Sequence, residues 1–186
     1  MFLMFLLKLK DRGMKLFKII RKIFIKEINI NEDIEKMTKY KDLLNKNIKK
    51  WYLKKLYSFL SDYYHNKIFI RYACDIIPES KIGKVIFRHP VGIVIGGGAI
   101  IEDDVIIHQN VTFGALKFDK TERRGIPCNQ IVKKGTIICT GAKILGDVVI
   151  GENCIVGANA VVTKDVPDRA TVVGYNKIIL KENKNG

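Results

Sequence analysis

Three histidines and a few carboxylates hold most of the chemistry open to this 186-residue chain. His89 opens the run HPVGIVIG, and Asp75 stands 14 residues before it in CDIIPESKIG. A histidine that is neutral at pH 7 can accept a proton from a far weaker acid. A carboxylate on its other ring nitrogen fixes the tautomer and stabilises the imidazolium that forms. Asp75 followed by His89 is therefore the outline of a general base able to activate a hydroxyl. Alone, His89 would read as a turn histidine packed by Pro90, and its place beside a repeat block is what favours catalysis. His108 follows an inward-pointing Ile107 and should point outward, with a minor role at most. His65 falls in a helical stretch and reads as structural. The four cysteines, Cys74, Cys128, Cys139 and Cys154, form no CxxC pair. With the histidines also scattered, no metal site is expected, and Cys154 reads as a packed thiol in a reducing compartment.

The element that must position these groups is announced by a period of six. Val132, Ile138, Ile144, Ile150, Val156 and Val162 are all branched aliphatics at unbroken hexad spacing. That step fits neither a helix of 3.6 residues per turn nor a flat alternating strand. It fits a parallel β-helix in which each hexad forms one short side of a coil. Ala142, Val148, Cys154, Ala160 and Val166 repeat at the same step and would stack as a second, smaller column. An earlier block, Ile95, Ile101, Ile107 and Phe113, keeps the period, with Gly114 at its corner. The 14 residues from Asp75 to His89 fall slightly short of the roughly 18 of one coil. The start of one coil can therefore lie near the end of its last side.

The segments CDIIPESKIG, HPVGIVIGGGAIIEDDVIIHQNVTFGA, TGAKILGDVVIGENCIVGANAVVTKDVP and TVVGYNKII resemble the catalytic domain of serine acetyltransferases and related sugar O-acetyltransferases. They lie between Cys74 and Leu180, more than half the chain. The resemblance implies a left-handed parallel β-helix, acetyl-CoA as co-substrate, His89 as base with Asp75 behind it, and a homotrimer with shared clefts. It places Gly114, Ala115, Thr140, Gly141 and Ala158 along the groove for the pantetheine arm. Lys164 and Lys177 fall toward the CoA phosphates. Backbone N–H groups near Gly114 could also stabilise an oxyanion. Against each assignment stands a plain alternative: β-helix corners favour small residues anyway, and surface lysines are abundant here.

Where the chain departs from the serine enzymes, the acceptor comes into question. Arg88 precedes His89 where those enzymes carry an aspartate suited to an ammonium group. A guanidinium repels an ammonium and attracts a carboxylate or phosphate. The excursion GALKFDKTERRGIPCNQI, loop 114–131, breaks the repeat for about one coil and is long enough to be functional. It offers Arg124 as an acceptor contact but lacks the family's Arg-His pair. The tail KENKNG lacks the C-terminal isoleucine with which the serine enzymes bind cysteine synthase, so no such partner is expected. The Asp75–His89 interval is one residue shorter than the family's, and the N-terminal region is about half as long. The preferred acceptor is therefore a sugar hydroxyl of a surface polysaccharide or its precursor. L-serine is the alternative, and a non-catalytic scaffold the second alternative.

Residues 1–71 read as a basic helical region, 72–180 as the β-helix domain and 181–186 as a tail. Of the net charge of +14, residues 1–70 supply +10, from 17 Lys and Arg against 7 Asp and Glu. No aromatic-interleaved basic strand or helix-turn-helix appears, so nucleic acid is not an expected partner. Leu16, Ile19, Ile20, Ile23 and Phe24 share one helical face, with lysines elsewhere around the turn. Such a helix can lie on an anionic membrane surface or pack on its own chain. Met1 to Leu7 is too short to span a bilayer and lacks the plan of a signal peptide. The expected place is the cytoplasm, including the inner face of its membrane. A second helical stretch is expected over 42–64, its aromatics suited to an interface.

Overall fold

A computed structural model describes residues 29–46, 48–116, 129–174 and 177–180. From Asp75 onward, short parallel strands wind into a left-handed β-helix with three sides. The first side stacks β1 (Asp75–Ile76), β4 (Val94–Ile95), β7 (Thr112–Gly114), β10 (Lys143–Leu145) and β13 (Val161–Val162). The second stacks β2 (Lys81–Ile82), β5 (Ile100–Ile101), β8 (Ile131–Val132) and β11 (Val149–Ile150), extended by a bridge from Ile150 to Val166. The third stacks β3 (Ile86–Phe87), β6 (Ile106–Ile107), β9 (Ile137–Ile138), β12 (Ile155–Val156) and β14 (Ala170–Val173). An antiparallel β15 (Lys177–Leu180) closes that third side.

The hexad columns are the core. Ile95, Phe113, Ile144 and Val162 stack on one side, Ile101, Val132 and Ile150 on the next, and Ile107, Ile138, Val156 and Val172 on the last, all buried. Between them run the smaller columns, including Ala142, Val148, Cys154, Ala160 and Val166, also buried. Alternation decides the faces: in each two-residue strand the second residue points inward and the first outward. Thr136 is a polar intruder in the small columns whose hydroxyl is satisfied on both sides. Thr136 donates to the Gly151 carbonyl at 2.8 Å and accepts from the Cys154 N–H at 3.1 Å. Burial raises the thiols of Cys74, Cys139 and Cys154 above the ordinary range, and all three are free. Cys128 lies outside the described residues.

The first coil breaks the hexad rule twice. Ile82 to Phe87 is a five-residue step, and Phe87 to Ile95 is an eight-residue step. The missing residue falls in GKV and the surplus in RHPVG, so coil geometry is restored only by bulging the chain at His89.

Two helices precede the β-helix. α1 (Ile30–Asn45) and α2 (Trp51–Tyr72) form a hairpin, with Asn29 capping α1 through its side-chain oxygen. The stretch 42–64, expected as one helix, is divided between them. Lys46 is extended (φ −69°, ψ 149°), consistent with the poor helix propensity of neighbouring Asn45. Ile30, Ile34 and Met37 of α1 and Ile68 and Tyr72 of α2 are buried together. Asp33 is buried and paired with Lys67 at 2.6 Å. The hairpin is tied to the first coil by Lys41–Glu79 at 2.7 Å and by the Asn31 amide donating to the Val85 carbonyl at 3.0 Å. Ala73, in the left-handed region at φ 49°, ends α2 and turns the chain directly into β1. Among the described residues no helix is long and apolar enough to cross a membrane. The basic segment 1–28 and the tail 181–186 lie outside the described residues.

Candidate active site

His89 sits in the longer step between β3 and β4, at the edge where the third side of the coil turns into the first. Its backbone is left-handed (φ 52°), a conformation uncommon for a residue with a side chain. The turn is fixed by the Val91 N–H donating to the His89 carbonyl at 2.7 Å and by Arg88 N–H bonding to Ile107 at 2.8 Å. The imidazole is exposed. The histidine at this bulged corner faces solvent and is not packed into the core; the left-handed backbone is shared by other corner residues, among them Asn110 and Asn159.

Asp75 starts β1 on the same edge, one coil away, a rise of about 4.8 Å per layer. Gly92 N–H donates to Ala73 and Asp75 N–H to Ile93, at 3.0 and 2.8 Å, which holds the two layers together. The structure thus brings Asp75 and His89 to neighbouring layers of one edge. The carboxylate, however, is hydrogen-bonded to another histidine. Asp75 Oδ1 lies 2.9 Å from Nε2 of His65, on α2. His65, expected as structural, is a member of this cluster. Its only signal in the sequence is a position ten residues before Asp75, and that spacing is meaningless until the helix-to-coil turn at Ala73 is known.

Further along the edge, a ladder of backbone bonds continues. Asn110 N–H donates to Val91, Gly141 N–H to Gln109 and Asn159 N–H to Thr140, at 2.9 to 3.0 Å. His108 therefore shares this edge with His89, as do Thr140, Gly141 and the exposed Ala158. Gly141 takes φ +73° there, and a Cβ would meet the Asn159 side-chain oxygen, which would have to move; Asn110 and Asn159 hold the same left-handed backbone at the neighbouring corners. The backbone of Lys177 reaches the same edge through its pairing with Val173.

The other expected groove residues lie across the first side, where it turns into the second. Gly114 ends β7 and Ala115 follows it, and Lys164 follows β13 and is exposed. The Gly114 carbonyl accepts from Gly146 N–H and from the Gln130 amide, each at 2.9 Å. Gln130, fully buried, spans the two ends of loop 114–131 and is a residue that sequence reasoning passed over. Its signal was available: a long amide in a column otherwise filled by the small or apolar Ser80, Ala99 and Val148. Arg88 is exposed, and no hydrogen bond or ion pair holds its side chain among the described residues. Arg124 lies outside the described residues. Among those described, no group of three potential metal ligands occurs.

Known proteins resemble this arrangement. Residues 131–164 match the bacterial transferase hexapeptide (six repeats) family. The serine acetyltransferase of Buchnera aphidicola subsp. Schizaphis graminum is 39% identical over 127 residues, covering 68% of this chain and 47% of the relative. That of Haemophilus influenzae is 38% identical over 126 residues, covering 67% and 45%. Among solved structures, a serine acetyltransferase in complex with CoA superposes with a TM-score of 0.60 at 35% identity, covering 79% of this chain and 55% of that one. A soybean serine acetyltransferase complexed with serine gives 0.57 at 37%, covering 64% and 48%. The chain spans about half the length of the curated relatives it matches. Over that shared part it is a serine acetyltransferase-like, hexapeptide-repeat chain.

Proposed function

We propose that this protein is an acetyl-CoA-dependent O-acetyltransferase with His89 as general base. The observation that carries the reading is the bulged corner itself: an exposed imidazole held in a left-handed turn, with Asp75 one layer away and Thr140 and Gly141 further along the same edge. Acetyl-CoA would supply the acetyl group as a thioester. The small residues at the corners, half-buried Thr140 and exposed Ala158, fit a slender arm lying against backbone, and Lys164 and Lys177 supply positive charge for its phosphates. His89 takes the proton of the acceptor hydroxyl as that oxygen attacks the thioester carbonyl, and Asp75 favours the imidazolium so formed; the carbon–sulfur bond then breaks and CoA leaves as the thiol with the imidazolium's proton.

The two sets of groove residues lie on opposite edges of one side of the β-helix. A second copy that sets its Gly114 edge against the His89 edge of the first would complete the cleft, and a homotrimer does this three times over. L-serine is the acceptor favoured by the relatives, which are named serine acetyltransferases. The sugar hydroxyl preferred from sequence becomes the second reading, and Arg88, exposed and unengaged, is the observation that favours it. The cytoplasm, expected from the sequence, is a compartment that supplies acetyl-CoA and so is compatible with this reading. The expected lack of a cysteine synthase partner rests on the tail, outside the described residues, and forms no part of this proposal.

The test is an acceptor screen with acetyl-CoA, following free thiol release with L-serine, sialic acids, uronic acids and nucleotide sugars. Release with serine alone selects the first reading, and release with an anionic sugar alone the second. A scaffold without catalysis would release thiol with none of them and would not bind CoA.

A further inference from the structure

The proposed base has a carboxylate behind it, and that carboxylate is already held by a third residue. We propose that His65 is a positioning residue of the site: it orients Asp75, and through Asp75 it sets the tautomer and ring orientation of His89. The proposal rests on the reading of His89 as the general base.

The geometry is specific. An ionised carboxylate only accepts, so the 2.9 Å contact requires His65 Nε2 to carry the proton and donate it to Asp75 Oδ1. No other partner of the carboxylate is found among the described residues, and the side chain is 42% exposed. Oδ2 is therefore left without a protein partner among the described residues, available to the neighbouring layer, where His89 lies. Without His65, a half-exposed aspartate at the first residue of the first strand would sample several rotamers and share its oxygens with water. Binding one oxygen to a ring fixed on α2 removes that freedom.

The supports on either side are firm. Ile68 and Tyr72, the next inward residues of α2, are buried, and the Ala73 N–H closes the helix on the Phe69 carbonyl at 2.9 Å. The Asp75 N–H is bonded to Ile93, and Gly92, on the layer of His89, is bonded to Ala73. The helix does not need His65 to stay docked. Buried Ile68 and Tyr72, the Lys41–Glu79 pair and the Asn31–Val85 bond already hold the hairpin to the first coil. A half-exposed hydrogen bond between a histidine and the carboxylate nearest the proposed base is thus surplus to docking. It is what a site requires to hold that carboxylate in one orientation.

The experiment compares wild type, His65→Ala, His65→Gln, Asp75→Asn, His89→Ala and the double variant His65→Ala/Asp75→Asn as full-length chains. Thiol release is measured with the best acceptor of the screen, together with ring 15N shifts of the three histidines. His65→Ala should lower kcat on the order of tenfold with KM for acetyl-CoA unchanged, as expected for one charge-assisted hydrogen bond acting through a neighbour. His65→Gln, whose amide nitrogen reaches the Nε2 position, should recover most of the loss. The double variant should be no slower than Asp75→Asn alone. The His89 ring shifts should move in His65→Ala as they do in Asp75→Asn, and not in His65→Gln. Unchanged His89 shifts in His65→Ala, or losses that multiply in the double variant, would overturn the proposal while leaving the base in place. Failure of the underlying reading looks different: His89→Ala then matches wild type, or wild type releases no thiol. In that case the His89 shifts alone decide whether His65 governs the Asp75–His89 pair.

Discussion

At the scale of residues, the proposed chemistry rests on one histidine and the charges around it. General-base assistance acts in the transition state, so His89→Ala should reduce kcat by about two to four orders of magnitude while acetyl-CoA affinity stays nearly constant. Stopped-assay turnover and equilibrium CoA binding check the two halves separately, and near-normal turnover removes the mechanism. Arg88 divides the acceptor readings. If it recognises an anionic acceptor, Arg88→Asp should raise the acceptor KM about tenfold to a hundredfold, from the loss of roughly 1.5–3 kcal/mol and added repulsion. If serine is the acceptor, the new carboxylate offers its ammonium a partner and serine turnover should improve. An Arg88 that only faces solvent would leave both constants unmoved. Burial raises the thiols of Cys74 and Cys154, so their reactive thiolate is scarce at pH 8. Native protein should therefore react with a disulfide reagent at these two positions far more slowly than unfolded protein.

At the scale of elements, the β-helix and the helical hairpin are stabilised by different means. The coil is a stack of interchangeable layers, each touching only its neighbours. Ile138, fully buried between Ile107 and Val156, illustrates its dependence on packing. Ile138→Ala should cost about 2–5 kcal/mol, through lost burial and the cavity left behind. The hairpin depends more on one buried charge. Asp33 is almost fully enclosed and Lys67 is its partner, so Lys67→Ala leaves an uncompensated carboxylate and should cost about 3 kcal/mol. Thermal melts of the two variants, followed by circular dichroism, measure both losses. These elements were unequally legible in sequence. The period of six exposes the coil because every layer repeats the same inward choice, visible from Val132 to Val162 without any long-range information. The first coil resists that reading, since its five- and eight-residue steps keep the sum nearly right while moving His89 out of register. His65 was illegible for a further reason. A contact between a helix and a strand depends on the turn at Ala73, which no periodicity encodes. The break at Lys46 likewise follows from local propensity working against an otherwise continuous apolar pattern.

At the scale of the whole molecule, the proposed cleft would draw one edge from each of two copies, and a single copy leaves apolar surface in water at both edges. Val91, beside His89, is 55% exposed, and Leu116, following the Gly114 edge, is 50% exposed. Val94 lies on the flat side between them and is also exposed. Isolated aliphatics at a surface need no explanation, but these three bracket the side that the proposed trimer would cover. Burying a valine or leucine is worth roughly 1.5–3 kcal/mol, and three-fold symmetry repeats each contact three times, so a charge placed here is felt at every interface. Val91→Lys and Leu116→Lys should each shift the protein from trimer toward monomer in light scattering at micromolar concentration. If the cleft is assembled from the edges of two copies, as proposed, acetyl-CoA affinity and turnover should fall together with the trimer fraction and recover as protein concentration rises. A surface lysine without such a role, such as Lys134→Ala on the second side, should change neither. The decisive contrary result is a stable monomer with full activity: it would mean that the Gly114 edge and the His89 edge serve different purposes. The contacts assigned to Thr140 and Ala158 would then have to be made within one chain.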